Sequence, residues 1–501
     1  MIVSPFLCAL TKLKEVIWPI KKDEMKLFLP LSLMMMCMLF NFGALRSIKD
    51  SLIVPAVGAE AISFLKLWLV LPSSVIFTLI YMKLSNKLNY EHLFYTIISL
   101  FLVFFLFFAF IIYPNQNDYH PSNEMIELLV LKYQNFQWFI KILGRWSYAL
   151  MYIFSELWSV VVINLMFWQF ANQIFDTEKA KRFYPVLGMI GNLGLVIAGI
   201  ALMTSSTTDV EFTTNLATSH NETSQMLKTM TMMIVSAGII SMILLKIIHK
   251  FHLIEFNQQI DHTTTVLLEN TKTKLSLKES IQLILRSKYI GHIVILILCY
   301  GLLINILEGP WKAKIREMHS DTLRYANFMG HFNIWMGISS VTFMIIGSNI
   351  LRNFSWLRSA MLTPIMIGVT GTIFFIFTIF NNDLSLLSGF NPIHAAVFVG
   401  ALQNILSKAT KYSLFDSTKE MAYIPLPLEL KTKGKAAVEI IGLKFGKSLG
   451  AFIQSMIFVF LPQANFDSIV MYLMTIFIVV IVLWLWNLIE LNREYLKFLK
   501  R

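Results

Sequence analysis

The feature that most limits what this chain can fold into is a repeated run of apolar residues with almost no charge. Each run is about 20 residues long, the length an α-helix needs to cross a hydrocarbon core. In lipid only helices or closed barrels satisfy every backbone N–H and C=O. The runs are continuous rather than alternating, so helices are expected. They fall at Phe28–Leu45, Ala61–Met82, Leu93–Tyr113, Ser147–Phe170, Phe183–Met203 and Met226–Leu245, and again at Ile290–Ile306, Phe328–Ile350, Ala360–Phe380, Ile393–Ala409, Ala436–Leu461 and Ile469–Leu488. Composition agrees: 56% of residues are hydrophobic and 14% charged, whereas a soluble domain has roughly 45–50% and ~25%.

The net charge of +12 would in a soluble protein point to nucleic acid or an acidic ligand. Here topology accounts for most of it, because Lys and Arg gather in loops retained beside anionic lipid. The stretch after the sixth run carries Lys246, Lys250, Lys272, Lys274, Lys278, Arg286 and Lys288. Lys83 and Lys87, Lys179 to Arg182, Arg352 and Arg358, Lys408 to Lys435, and the tail Arg493, Lys497, Lys500 and Arg501 fall on the same side. The loops Asn381–Pro392 and Pro462–Ser468 have neither Lys nor Arg, so both termini are expected in the cytoplasm. Met1 to Glu24 lacks a basic n-region and a small-residue cleavage site, and reads as an amphipathic lead-in rather than a signal peptide. It is also too poor in Ser and Arg for an organelle transit peptide, which favours a bacterial protein.

The two halves echo each other. Phe175-Asp176-Thr177 closes the fourth run and Phe415-Asp416-Ser417 the tenth, 240 positions apart. Lys179-Ala180-Lys181 then leads to a run with Gly188, Gly191 and Gly194, and Lys433-Gly434-Lys435 to one with Gly442, Gly446 and Gly450. Six plus six spans around a cytoplasmic central loop is the layout of a major-facilitator-type transporter, whose site lies between the halves. The expected fold is thus an all-α membrane protein of twelve transmembrane helices in two six-helix halves. The N-terminal segment is 1–27, the first half 28–245, the central loop 246–289, the second half 290–488 and the tail 489–501.

Ionisable residues inside a membrane cost about 2.5–3.5 kcal/mol each on insertion scales, so each is a functional candidate whose partner should be sought. Arg46, Lys49 and Asp50 end the first run, Glu156 lies ten residues into the fourth, Glu308, Lys312 and Lys314 end the seventh, and Glu439, Lys444 and Lys447 lie in the eleventh. Both signs occur in both halves. Lys supplies point charge for phosphate and Arg a bidentate fork, which suits a polyphosphate ligand. Glu156 and Glu308 would hold those lysines in the empty carrier and release them when ligand arrives. Against this, Arg46 to Asp50 and Lys312 to Arg316 also read as helix ends snorkelling to the interface. Glu156 and Lys447 also read as a structural ion pair, Lys435–Glu439 as a local helix pair, and Lys66 and Lys228 as snorkelling lysines without a role.

Other signals carry little. Gly446-Lys447-Ser448 lacks the spacing and the preceding strand of a phosphate loop; its glycines suit close helix approach. Asn221-Glu222-Thr223 is a chance sequon. Cys8, Cys37 and Cys299 are too far apart for a disulfide framework or metal cluster, and the histidines lack ligand spacing, so no metal or cofactor is expected.

Three stretches resemble the non-mitochondrial ATP/ADP translocases of rickettsia-like and chlamydia-like bacteria and of plastids. They are Leu45-Arg46-Ser47-Ile48-Lys49-Asp50-Ser51-Leu52-Ile53-Val54, Glu156-Leu157-Trp158 with Phe167-Trp168-Gln169-Phe170-Ala171-Asn172-Gln173-Ile174, and Lys433-Gly434-Lys435-Ala436-Ala437 to Gly446-Lys447-Ser448. The resemblance runs from about Lys26 to the last span. It implies exchange of external ATP for internal ADP across a bacterial inner membrane by alternating access. Carried over residue by residue, it implies roles for Lys49, Glu156, Glu308 and Lys447, the charges already selected on energetic grounds. Arg46 joins them as a phosphate ligand. Asn192, in the same Gly-rich context as Lys447, is expected to face the cavity and contact the base.

One departure stands out: the family commonly has an acidic residue after Ile-Pro-Leu before the eleventh span, where this chain reads Ile424-Pro425-Leu426-Pro427. Guanine or pyrimidine nucleotides, or another organic phosphate, are the alternative cargoes. The expected partners are ATP, ADP and membrane lipid, without nucleic acid, and the expected unit is a monomer. A membrane-embedded enzyme is disfavoured because no His/Asp/Cys constellation appears.

Overall fold

The computed structural model describes residues 18–175, 177–207, 216–259, 287–380, 391–426, 438, 446 and 448–499. Among them every regular element is helical. The first half contains α1 (Met25–Ala56), α2 (Ala61–Ser85), α3 (Tyr90–Ile112), the short α4 (Asn123–Lys132) and α5 (Gln137–Gly144), α6 (Trp146–Asn172), α7 (Thr177–Ser206) and α8 (Leu216–Gln259). The second half contains α9 (Lys288–Met318), α10 (Thr322–Asn353), α11 (Trp356–Ile379), α12 (Pro392–Thr410), α13 (Ser448–Phe460) and α14 (Phe466–Leu499).

Ten helices among the described residues are long and apolar enough to cross a membrane. They match ten of the expected spans. The tenth expected span is α12, which is not one of the ten; it buries polar Gln403, Asn404, Ser407 and Thr410. The eleventh is described only in its last part, α13.

Two helices run well past their expected ends. The apolar run Phe28–Leu45 continues as helix to Ala56, and Ile290–Ile306 continues to Met318. The charges Arg46, Lys49, Asp50, Glu308 and Lys312 therefore lie inside helices, and the alternative reading of Arg46 to Asp50 and of Lys312 as snorkelling helix ends is corrected. An apolar run stops at the first charge; a helix whose charges find partners does not. Likewise α8 extends to Gln259 and α14 to Leu499, beyond the expected boundaries at 245 and 488.

In each half the first helix is tied to its neighbours by polar bonds. In the first half Asn41 Nδ2 donates to the Ile234 carbonyl of α8 (3.1 Å) and Trp158 Nε1 of α6 to the Met38 carbonyl (3.2 Å). In the second, His292 of α9 is paired with Asn487 of α14 at 2.6 Å, and Trp311 Nε1 donates to the Val397 carbonyl of α12 at 3.0 Å. Lipid is as apolar as leucine, so close packing and polar bonds, not burial from water, hold membrane helices together.

The same rule joins the halves. A Cβ built on Gly199 of α7 would lie 2.5 Å from the Gly330 carbonyl oxygen of α10, and one on Gly330 2.9 Å from the Gly199 oxygen. Only glycine at both positions lets these backbones touch. Nearby, Asn333 Nδ2 of α10 donates to Gly43 O (3.1 Å) and Ser47 Oγ (2.8 Å) of α1.

A candidate anion site between the two halves

The extension of α1 and α9 brings their charges face to face. Arg46, Lys49, Asp50 and Ile53 follow the i, i+3, i+4, i+7 spacing of one helix face, and Asn305, Glu308, Lys312 and Ile315 fall at i, i+3, i+7 and i+10, likewise along one face. The two faces meet about 10 Å inside the end of the bundle, some seven residues below the α1 terminus at 1.5 Å each.

The result is a chain of alternating charge. Glu156 of α6 lies 3.0 Å from Lys49 Nζ, which lies 2.9 Å from Asp50; Asp50 lies 2.8 Å from Lys312 of α9, and Lys312 lies 2.9 Å from Glu308. Glu308 is further reached by Lys66 of α2 at 2.7 Å and by Arg46 at 3.9 Å. Lys66 Nζ also donates to Asn305 Oδ1 at 3.0 Å. Asp50–Lys312, Lys66–Glu308 and Arg46–Glu308 cross between the halves.

Exposure is graded along the chain. Asp50 and Lys312 side chains are 0% exposed, whereas Glu156 is 29%, Lys66 20% and Glu308 13% exposed. The centre is dry and the two arms are reachable. Rings support the cations: Lys49 Nζ lies 3.8 Å from the Tyr152 ring centroid, and the Phe332 ring is faced by Arg46 at 5.6 Å and by Lys408 of α12 at 5.5 Å. A widened π-helical turn, Leu65–Val70, carries Lys66, and another, Ser159–Phe167, begins three residues after Glu156. Such turns recur at functional sites.

Replacing buried ion pairs by apolar side chains is commonly neutral or stabilising. Stability alone therefore does not account for the charges gathered here.

Of the residues expected from sequence, Lys49, Glu156, Glu308 and Arg46 are brought together. Asn192 is not with them. It is 5% exposed, its Nδ2 donates to Gly188 O of its own helix at 2.7 Å, and its carbonyl faces Gly337 of α10. It sits on the α7–α10 seam. Lys447 lies outside the described residues, as do Glu439 and Lys444. The glycines beside Lys447 do allow close approach: a Cβ on Gly450 would lie 2.7 Å from Asn305 Cβ.

Lys66 corrects a second expectation, since it is an arm of the chain and not a lysine snorkelling without a role. It is the one charge in Ala61–Met82, a signal the sequence did carry. Lys312 was likewise legible as the i+4 neighbour of Glu308.

Beyond the chain, the end of the bundle is closed by a seal of different chemistry. After α1 the chain turns at Gly58, whose φ of +136° and whose contact with Trp138 both require glycine. The turn places Glu60 so that its carboxylate accepts the Phe466 N–H, at the start of α14 in the other half, at 3.2 Å. Anions are favoured at a helix N-terminus. Arg316 donates to the Pro55 carbonyl (3.4 Å), Asn135 to the Val459 carbonyl (2.9 Å) and Gln137 to the Pro462 carbonyl, while Trp138 packs on Phe458. Burial pushes the Glu60 carboxyl above its ordinary range; the backbone N–H bonds and Arg316 oppose that rise and Asp467 adds to it.

Solved structures share this architecture. A bacterial homologue of the iron transporter ferroportin, in an inward-facing state, aligns over 94% of this chain and 99% of its own with a TM-score of 0.57 at 14% identity. The xylose transporter XylE from E. coli aligns over 92% and 97% with a TM-score of 0.53 at 10% identity. These likenesses show the major-facilitator-like fold alone. Sequence relatives are far closer. ADP,ATP carrier protein 3 of Rickettsia prowazekii is 65% identical over 491 residues, covering 97% of this chain and 98% of the relative. ADP,ATP carrier protein 1 of the same organism is 42% identical over 490 residues, covering 97% and 96%. The TLC ATP/ADP transporter family matches residues 7–495. With the expected resemblance thus borne out across nearly its whole length, this chain belongs to the TLC ATP/ADP transporter family.

Proposed function

We propose that this protein exchanges external ATP for internal ADP across a bacterial inner membrane, by alternating access of one site between its halves. The cross-half chain of charges carries the reading. A polyphosphate is the ligand that can replace Glu308 and Glu156 as counter-charge to Lys66, Arg46 and Lys49 at once, each swap leaving no bare charge in the bundle. The relatives' names, ADP,ATP carrier, supply the two nucleotides.

In this reading Lys49, Lys66 and Arg46 bind phosphate, with Lys447 joining them from the eleventh span, and Glu156 and Glu308 hold the cations in the empty carrier. Lys312 stands behind them and orients Glu308. Asn192 belongs to the hinge-like α7–α10 seam, with contact to the base the alternative role. Basic loops put both termini in the cytoplasm, so the Gly58 end faces outward and its seal closes the outer face. The monomer carries the whole path.

Counter-exchange in proteoliposomes tests this. Internal ADP is expected to drive uptake of labelled ATP, and a panel of guanine and pyrimidine nucleotides and non-nucleotide phosphates sets the cargo. A purified, folded protein that moves no nucleotide against any other overturns the reading.

A further inference from the structure

The alternating chain joins two kinds of contact that the exchange reading does not distinguish. Lys66–Glu308 crosses between the halves with both side chains partly exposed, and the buried Arg46 reaches the same carboxylate, so a ligand can compete for Glu308 from the Lys66 side. Asp50–Lys312 crosses between the halves fully buried, so a ligand cannot reach it. Each member of the dry pair also has a second partner within its own half. Asp50 has Lys49 at 2.9 Å, and Lys312 has Glu308 at 2.9 Å, one helical turn away.

We infer that Asp50 and Lys312 form a lock between the halves that cargo never touches, and that Glu308 is the relay by which cargo opens it. This inference rests on the exchange reading and adds what makes exchange obligatory. In the empty carrier Glu308 is shared among Lys66, Arg46 and Lys312, and Lys312 depends on Asp50 for its remaining counter-charge. A phosphate chain bound to Lys66 and Arg46 frees Glu308. The freed carboxylate compensates Lys312 alone, and Asp50 falls back on Lys49. The halves then part with every buried charge still paired. Without cargo, parting strips Lys66 and Arg46 of their counter-charge, and the empty carrier stays shut.

The relay assigns opposite behaviour to two carboxylates of one network. Asp50→Asn cuts the cross-half link but leaves Lys49 with Glu156 and Lys312 with Glu308, so folding is preserved. Glu308→Gln removes the relay and leaves the lock closed. The readout is efflux of labelled ADP from proteoliposomes, measured with ATP outside and into nucleotide-free buffer, and expressed as the ratio of the two rates.

Wild type is expected to release ADP only against external nucleotide. Asp50→Asn is expected to retain exchange while net efflux rises about tenfold, the shift that ~1.4 kcal/mol of lost lock produces. Asp50→Glu is expected to restore tight exchange, and Glu308→Gln to lose exchange without acquiring leak. Lys312→Gln opens the same lock from the other half and is expected to leak as Asp50→Asn does, which covers the case of a poorly folded Asp50 variant. If wild type exchanges nucleotide and a folded Asp50→Asn keeps the wild-type ratio or shows neither flux, or if Glu308→Gln leaks, the lock is wrong and the exchange reading stands. If wild type moves no nucleotide, the exchange reading itself falls.

Discussion

The halves of this carrier meet in two neighbouring places built from opposite chemistry. About 10 Å inside the bundle, charged side chains meet charged side chains, and each is shared between partners. At the Gly58 end, side chains meet backbone: Glu60 accepts the Phe466 N–H, and Arg316, Asn135 and Gln137 donate to the carbonyls of Pro55, Val459 and Pro462. Backbone groups are satisfied by water as readily as by these side chains, so the end seal opens without a replacement partner. Buried charges are not so tolerant, and they need a ligand of matching charge before they separate. One contact can thus register cargo while the other only sets how readily the carrier closes.

The sharpest break of that comparison is made in the charge chain. Lys66→Ala and Lys49→Ala each remove a charge-assisted contact of roughly 1.5–3 kcal/mol, so nucleotide exchange is expected to fall about 10- to 150-fold. Initial exchange rates at equal reconstituted protein provide the check. A Lys66→Ala carrier exchanging at the wild-type rate would mean that this arm holds the structure and not the cargo.

Next in size is the glycine seam. Gly199→Val places side-chain atoms where the Gly330 carbonyl oxygen already lies, 2.5 Å from the first carbon. Overpacking of this kind costs about 1–3 kcal/mol, and here the strain is relieved by parting the halves. Exchange is expected to drop some 5- to 150-fold at that cost. Gly188→Ala in the same helix is the control. Its added carbon would lie 3.4 Å from the flexible end of Met344, and near-normal exchange is expected.

These two breaks were unequally visible in the sequence. Hydropathy located ten of the crossing helices, because a run of about 20 uncharged residues has few other physical explanations. It misjudged α1 and α9 because it ends a helix at the first charge, whereas the charges at 46–50 and 308–312 lie within helices with partners from both halves. Lys49, Glu156 and Glu308 were legible as intramembrane charge of both signs. Lys66 sits five residues into its helix, where a solitary lysine has a cheap interfacial alternative, and only its 2.7 Å contact with Glu308 distinguishes the two. Asn192 shares a glycine-rich context with Lys447, but such glycines report backbone approach, and Asn192 lies at a close backbone approach between α7 and α10. The seal at Gly58 was invisible, as were α4 and α5 between the third and fourth spans. Side chain to backbone bonds between distant segments, such as Glu60 to Phe466, leave no pattern in a sequence.

The seal itself offers a gentler test. Burial raises the Glu60 carboxyl above its ordinary range when the end is closed, and opening returns it to water. The closed state therefore holds the proton more tightly, and acid favours closure. As pH rises from the ordinary carboxylate range through the raised value, closure weakens, by at most about tenfold per unit for a single group. The charges facing Glu60 are Arg316, Lys141 and Asp467. Val57→Cys in a cysteine-free background reports opening through a membrane-impermeant thiol reagent. Labelling is expected to increase with pH, and Glu60→Gln is expected to remain slow throughout, because its amide oxygen still accepts the Phe466 N–H. An unchanged pH profile in Glu60→Gln assigns the dependence to another group.

The smallest effect is expected at the charge pair that borders the seal. Lys314 lies 3.0 Å from Asp467, the residue after Phe466, but Asp467 is 54% exposed and Lys314 keeps Glu317 at 2.7 Å. Half-solvated pairs of this kind contribute about 0–1 kcal/mol, so Asp467→Asn should change both thiol labelling at position 57 and exchange by less than about fivefold. Neutralising Asp50, buried and only one further layer inward, is expected to change the ratio of exchange to leak by more. If the two substitutions instead weigh equally, position relative to the seal governs coupling, and the distinction between shared buried charge and solvated end contacts has to be abandoned.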